Sequence, residues 1–256
     1  MVRAAFFDLD KTILDTSSNV ALSGPFIEAG LMNRRTALTS VLVQLPYLLA
    51  GADESRMEQM AQALGRMGRG WNAAFLEATV EDALERTIQP VCYAQALARI
   101  EQHKRAGDIV VIASASVEQV VRPIAQMLGA DEVLASRAAV DEDGCFTGEI
   151  THFNQARGKA DACEALARAR GWDLSECSAY SDSVSDAPLL RLVGHPYAVN
   201  PDRGLREMAQ REGWPTLTFT STVRVLPREV PTPAKVAVPF IAGVAVGAAA
   251  CALLRR

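Results

Sequence analysis

Histidine is scarce: the 256 residues contain three, His103, His152 and His195. They are scattered without metal-ligand spacing, which argues against a histidine-held zinc and against phosphoryl transfer through imidazole. Cysteine is little commoner. The five present, Cys92, Cys145, Cys163, Cys177 and Cys251, are odd in number and include no C-x-x-C pair. Neither a disulfide framework nor a thiolate zinc site is expected, and the usage fits a reducing cytosol. Positive charge is not in excess: 26 Lys and Arg against 30 Asp and Glu give a formal net charge of −4, so a nucleic-acid backbone finds no general attraction. The N-terminus has no apolar run of signal-peptide length, because Asp8 and Asp10 interrupt it, and secretion is not expected. No internal repeat is present. With 49% hydrophobic and 22% charged residues the composition is that of a packed globular chain, long enough for one large α/β domain or a core carrying an inserted module.

Three short apolar runs stand out. Residues 3–7 lead into Asp8-Leu9-Asp10, residues 109–113 lead into Ser114, and residues 177–180 lead into Ser181-Asp182. Each reads as a buried strand that ends in a polar residue. Ligands of an open parallel sheet bind beyond the carboxyl ends of its strands, so the three segments are expected to feed one site. Helical patterns over 117–128, 159–169 and 205–211 complete the signature of a doubly wound α/β fold. Between 15 and 90 there is no strand-like run, only helical patterns broken at Gly24-Pro25, Gly30, Gly51 and Gly68-Arg69-Gly70. An insertion this long at the ligand end of a sheet reads as a helical cap. Inside it, residues 38–49 are apolar but short and contain Pro46, as in a buried helix. Asp143-Gly144 reads as a hairpin turn. The expected organisation is a core of 1–14 and 91–221, a cap of 15–90, a linker of 222–235 and a transmembrane helix at 236–254.

That last segment has 19 residues without a charge, against ~20 needed to span a bilayer core. Seven alanines, Pro239, Gly243 and Gly247 weaken it, while a lead-in with Pro227, Pro231 and Pro233 and the closing Arg255 and Arg256 favour insertion. The basic residues around the span place the catalytic part on the cytoplasmic side, anchored to the inner face of the membrane. The G-x-x-x-G pair of Gly243 and Gly247 would suit a homodimer.

The strand ends carry the chemistry. Asp8 and Asp10, one residue apart, can offer a hard cation one carboxylate and one main-chain carbonyl while the second carboxylate points elsewhere, a magnesium arrangement. Taken singly, Ser114 also reads as a helix N-cap, Lys159 as an exposed charge in a first helical turn, and Asp186 as a cap for a helix starting near Pro188. The order of the four motifs along the chain reverses these readings.

Asp8-Leu9-Asp10-Lys11-Thr12, then Ser114 in Val-Ile-Ala-Ser-Ala-Ser, then Lys159, then Asp182-Ser183-Val184-Ser185-Asp186 together resemble the haloacid dehalogenase (HAD) superfamily, in the subgroup with a helical cap between the first two motifs. The stretches beginning at Asp186 (Asp-Ala-Pro-Leu-Leu) and Val199 (Val-Asn-Pro-Asp) resemble its phosphoserine-phosphatase-like members, subfamily IB. The similarity spans about residues 3 to 220 and excludes the tail. It implies a magnesium-dependent phosphomonoesterase acting on a small phosphorylated metabolite, phosphoserine included. In that reading Asp8 is the nucleophile and Asp10 the general acid and base. Ser114 and Lys159 hold the phosphoryl group. Asp8, Asp10 through its carbonyl, and Asp182 bind Mg2+, with Asp186 behind them. Two alternatives use the same residues: a non-catalytic, membrane-tethered phospholigand-binding module, and a phosphotransferase to an acceptor other than water. The chain departs from phosphoserine phosphatases at the start of the cap, where Thr16-Ser17-Ser18-Asn19 offers no acid for a substrate ammonium. Glu28 is a distant substitute, and Arg34, Arg35, Arg56, Arg66 and Arg69 are candidates to read a second anionic group. Ser181 and Ser183 stand where many relatives carry glycine.

Overall fold

The structure, a computed structural model, describes residues 3–33, 59, 62, 63 and 65–222. Strands β1 (Ala4–Phe7), β2 (Ile109–Val117), β3 (Glu132–Val140), β4 (Phe146–His152), β5 (Ser178–Ser181), β6 (His195–Val199) and β7 (Thr216–Leu217) form one sheet in the order β4-β3-β2-β1-β5-β6-β7. Every pairing is parallel except β3 with β4. The chain starts at β1 in the middle, builds outward through β2 and β3, then crosses back to build β5, β6 and β7 on the other side. The strand order therefore reverses at β1, where a doubly wound sheet opens a crevice at its carboxyl end.

Alternation along the strands explains why their sequences read as continuous apolar runs. Ala5, Phe7, Val110 and Ile112 face one core, and Ala4, Phe6, Val111 and Ala113 face another, all buried. Both faces are covered, so neither set of alternate residues meets water. The first core is closed by α1 (Ser18–Ala21), α2 (Ser23–Glu28), α3 (Ala73–Ala83), α4 (Ala94–Arg105) and α5 (Glu118–Leu128), which contribute among others Phe26, Leu76, Val80, Ile100 and Ile124. The second is closed by α6 (Arg157–Arg170), α7 (Ala187–Leu192) and α8 (Arg203–Glu212) through Ala160, Cys163, Leu189, Leu190, Leu205 and Ala209.

Three details differ from the sequence reading. First, β2 does not stop at Ala113. It runs on to Val117, and its register against β3 shifts between Ala113 and Val117. Ser114 consequently sits inside the strand, and the N-cap of α5 is Val117. Second, α3 passes through a π turn at Leu84–Ile88 and a 3-10 turn at Gln89–Val91 before the chain returns to the sheet. Third, the hairpin turn at Asp143-Gly144 does more than reverse the chain. Gly70 N donates to Phe146 O (2.8 Å), Phe146 N to Trp71 O (2.9 Å) and Ala73 N to Gly144 O (2.9 Å), so the β3–β4 hairpin is stitched to the segment that precedes α3.

Among the described residues no helix is long and apolar enough to cross a membrane. The predicted span at 236–254, the linker beyond Thr222 and the apolar segment 38–49 lie outside the described residues.

Candidate active site

The acid-bearing loop begins where β1 ends. Asp8 N donates to Tyr180 O of β5 at 2.9 Å, extending the β1–β5 ladder by one residue. The chain then turns sharply: Lys11 takes a left-handed φ of 60°, and Ile13 N and Leu14 N both donate to Leu9 O at 3.0 Å. This turn folds Thr12 back onto the acids, with its Oγ1 3.1 Å from Asp8 Oδ2 and 3.5 Å from Asp182 Oδ1.

Lys159 enters from the first turn of α6 and is 2% exposed. Its Nζ donates to Asp8 Oδ1 and to Asp186 Oδ2, each at 2.7 Å. Ser181 Oγ donates to the same Asp186 oxygen at 2.7 Å. Asp186 occupies the N-cap position of α7 but makes no side-chain cap bond; its carboxylate serves Lys159. Its other oxygen, Oδ1, is buried without a partner among the described residues. Of the residues singled out from sequence, Asp8, Asp182, Lys159 and Asp186 thus join one bonded cluster.

Asp10 and Ser114 flank that cluster. Asp10 Oδ1 accepts from Ser18 N at the start of α1, at 2.7 Å. Ser114 is buried, two residues beyond Ile112, the β2 partner of Phe7. Its Oγ accepts from Ser116 N at 3.2 Å. The expected substrate readers fare differently. Glu28 is 69% exposed and pairs with Arg86 at 3.6 Å; Arg66 and Arg69 are exposed; Arg34, Arg35 and Arg56 lie outside the described residues.

Crowding the acids together shifts their protonation. Burial pushes Asp8 up to about 7; the ammonium of Lys159 opposes this, and Asp186 and Asp10 add to it. Asp182 rises to about 8, through burial first and the charges of Asp8 and Asp186 second. Asp10 is raised by burial, with the Ser18 amide pulling the other way. Burial alone would lower Lys159, but the carboxylates of Asp186 and Asp8 outweigh it and hold Lys159 above the ordinary lysine range, as an ammonium. One cation does not offset so many carboxylates, so Asp8, Asp10 and Asp182 hold their protons more tightly than free acids do.

A divalent cation suits this surplus. Asp8 Oδ2 and Asp182 Oδ1 share Thr12 Oγ1 as a neighbour, which brings two carboxylates to one place. The orphaned Asp186 Oδ1 leaves a further buried acceptor for a bound water. Among the described residues no three His, Cys, Asp or Glu side chains form a metal cage. Mg2+ is commonly held by one or two carboxylates while it keeps several waters. The residues present fit the ion.

Sequence reasoning missed several parts. Asn154 is fully buried; its Nδ2 donates to Ser114 O and Leu134 O, both at 2.9 Å, and its N donates to Ser136 Oγ at 3.0 Å. It fixes the strand around Ser114 from 40 residues away. Ser18 joins Asp10 to Ser116, its Oγ 3.2 Å from Ser116 Oγ. Ser181 read as a lost glycine and is an Asp186 ligand.

The sequence profile of haloacid dehalogenase-like hydrolases matches residues 5–191. A Streptomyces azureus protein named for inhibition of morphological differentiation is 46% identical over 252 residues, covering 96% of this chain and 89% of that one. A Mycobacterium tuberculosis protein named "Probable phosphatase" is 45% identical over 258 residues, covering 99% and 89%. Among solved structures, a Bordetella pertussis protein of unknown function superposes with a TM-score of 0.72 at 28% identity, covering 85% and 99%. A substrate-bound phosphoserine phosphatase gives 0.63 at 18% identity, covering 85% and 93%, a likeness of fold. With the acid cluster at the carboxyl ends of β1 and β5 and these matches along most of its length, the chain is a phosphatase-type enzyme and belongs to the haloacid dehalogenase-like hydrolase family.

Proposed function

We propose that this enzyme is a magnesium-dependent phosphomonoesterase that works through a phospho-aspartate on Asp8. The observation that carries the reading is the buried Lys159 bridging Asp8 and Asp186 at 2.7 Å each. The bridge pins one oxygen of Asp8, leaves Oδ2 toward Thr12 and Asp182, and puts a fixed positive charge where a phosphoryl group would accumulate negative charge. Asp8 attacks phosphorus as the ester oxygen departs. Asp10, whose burial favours the protonated form, donates its proton to the leaving alkoxide. As a carboxylate it then takes a proton from the water that attacks the phospho-aspartate, releasing phosphate and regenerating Asp8. Ser114 and Lys159 hydrogen-bond the phosphoryl oxygens, and Asp186 holds Lys159 in place. Asp8, the Asp10 carbonyl and Asp182 would hold Mg2+, which when bound would offset the repulsion between carboxylate and phosphate.

In this reading residues 15–90 cap the core, and the substrate is a small phosphorylated metabolite. Phosphoserine is one candidate, although Thr16–Asn19 supply no acid for its ammonium. The reading includes a membrane attachment, which rests on the sequence of the tail alone. Thr222 bridges to Tyr93, whose N donates to Ile13 O at 2.8 Å, so the chain leaves beside the loop that carries Asp8 and Asp10. A helix at 236–254 would then hold the catalytic domain at the inner face of the membrane.

The test is phosphate release from phosphoserine, sugar phosphates, nucleotides and lysophosphatidic acid, with and without Mg2+, beside Asp8→Asn. Magnesium-dependent release lost in Asp8→Asn is expected. Turnover that survives either change overturns the mechanism. Added alcohols that capture the phosphoryl group would mark a transferase instead.

A further inference from the structure

On the face of the sheet opposite α6, a chain of polar contacts runs into the hydrophobic core. Arg3 Nε donates to Asp108 Oδ1 at 2.9 Å. Asp108 Oδ2 lies 2.8 Å from His103 Nδ1, and His103 Nε2 lies 2.8 Å from the Tyr180 hydroxyl. A carboxylate only accepts, so Nδ1 carries a proton; the Nε2 contact joins the ring to the Tyr180 hydroxyl, which accepts from an imidazolium and donates to a neutral imidazole. Tyr180 is buried. Its ring is stacked between Phe7 (4.4 Å between centroids, 5° between planes) and Tyr197 (4.8 Å, 7°). These rings come from β1, β5 and β6 and face one another in register.

The position of this stack is what gives it a consequence. Phe7 immediately precedes Asp8, and Tyr180 lies two residues before Asp182. The Tyr180 carbonyl accepts the Asp8 amide at 2.9 Å. Any slide of β5 along β1 would separate the two carboxylates that Thr12 touches at once. An aromatic stack resists separation of the rings but tolerates sliding in the ring plane; a hydrogen bond at the ring's rim removes that freedom.

We infer that His103 and Tyr180 are positioning residues for the acid cluster: the Arg3–Asp108–His103 relay fixes the Tyr180 ring, and the ring fixes the strand ends that carry Asp8 and Asp182. This rests on the magnesium reading for its first readout only. Neither residue touches substrate or the reacting atoms. Both substitutions keep the core largely filled: Tyr180→Phe removes only the hydroxyl and retains the stack, and His103→Gln replaces the ring by a carboxamide of similar length.

The experiment measures Mg2+ binding to the full chain by calorimetry, beside hydrogen exchange at the Asp8 amide. Tyr180→Phe and His103→Gln are each expected to weaken Mg2+ binding about threefold, less than the ~10–100-fold for groups bonded directly to a metal ligand. The double variant is expected to be no weaker than either single one, because the two act as one relay. The Asp8 amide is expected to exchange faster in both. Mg2+ affinity unchanged in both variants, or losses that add in the double variant, overturns the inference, even if both melt at lower temperature. If the wild-type chain binds no Mg2+, the magnesium reading fails by itself, and unchanged exchange at Asp8 then overturns the positioning role.

Discussion

Among the described residues Lys159 is the only ammonium bonded to Asp8 and Asp186, and its removal takes away the countercharge of both buried carboxylates. Breaking a buried pair from one side costs about 3–5 kcal/mol, so Lys159→Met is expected to unfold at markedly lower denaturant at pH 8 and to release no phosphate. At pH 5 the stability gap should narrow, because the acids can take up protons instead; a gap independent of pH would contradict the charge argument. The wild-type acids give a second expectation. Asp8 and Asp182 move from an ordinary 3.8 to about 7 and about 8, so the folded state holds protons that the unfolded chain has lost. Their contribution is fully present below the unfolded value and disappears as pH rises through 7 and 8. Metal-free protein should therefore melt at progressively lower temperature from pH 5 to pH 8.5, Asp182→Asn should flatten that fall, and Mg2+ should reverse it in the wild type alone. A flat profile in chelator would show that the acids are not crowded in this way. That Asp8, Lys159 and Asp182 would meet was legible from the order of their motifs along the chain, although Lys159 by itself read as an exposed charge. Asn154 was not legible, since nothing in an extended stretch shows which carbonyls a buried amide will meet.

Close approaches of main chain decide how the elements are held. A Cβ on Gly65 would lie 2.0 Å from Gly148 O, and one on Gly158 would lie 2.5 Å from Phe153 O; both are backbone atoms that a side chain cannot push aside cheaply. Gly65→Ala is expected to part the inserted segment from the β3–β4 hairpin, read as faster hydrogen exchange at the amides of Gly70, Phe146 and Ala73, which now bond across that contact. Exchange at the wild-type rate would mean that the contact yields without opening. Gly158→Ala acts on the site itself, since Lys159 is the next residue: the start of α6 must retreat, and Lys159 with it, so kcat should fall more than KM rises. The hairpin contact had no sequence signal, because main-chain atoms make it. The extension of β2 through Ser114-Ala115-Ser116 was hidden for a related reason. Small polar residues after an apolar run resemble a helix entry, whereas pairing with β3, resumed between Val117 and Ser136 after the shift in register, keeps the strand going. The strands β1 and β2 themselves were readable, as burial on both faces demands unbroken apolar runs.

At the scale of the molecule, the reversal of strand order at β1 and the route of the last described residues bear on one question, where substrate arrives. Asn200, at the carboxyl end of β6, exchanges both side-chain bonds with Phe219 at 2.9 Å, and Ser221 O accepts from Ala94 N at 2.7 Å. These contacts carry the chain along the site end of the sheet up to Thr222. The 13 residues from 223 to 235, three of them proline, reach at most ~45 Å from Thr222 at about 3.3–3.6 Å per residue. A bilayer helix at 236–254 would thus keep Thr222 within that distance of a membrane surface. The full chain is expected to sediment with anionic vesicles and to stay bound at high salt, since apolar insertion is not screened as a polybasic contact would be. A chain ending at Thr222 should remain in the supernatant with an unchanged melting temperature. It should match the full chain on water-soluble phosphates and fall behind it on lysophosphatidic acid presented in vesicles. Equal sedimentation of the two chains would remove the anchor; equal rates on the vesicle substrate, with sedimentation lost, would leave the anchor as an address without a part in substrate choice.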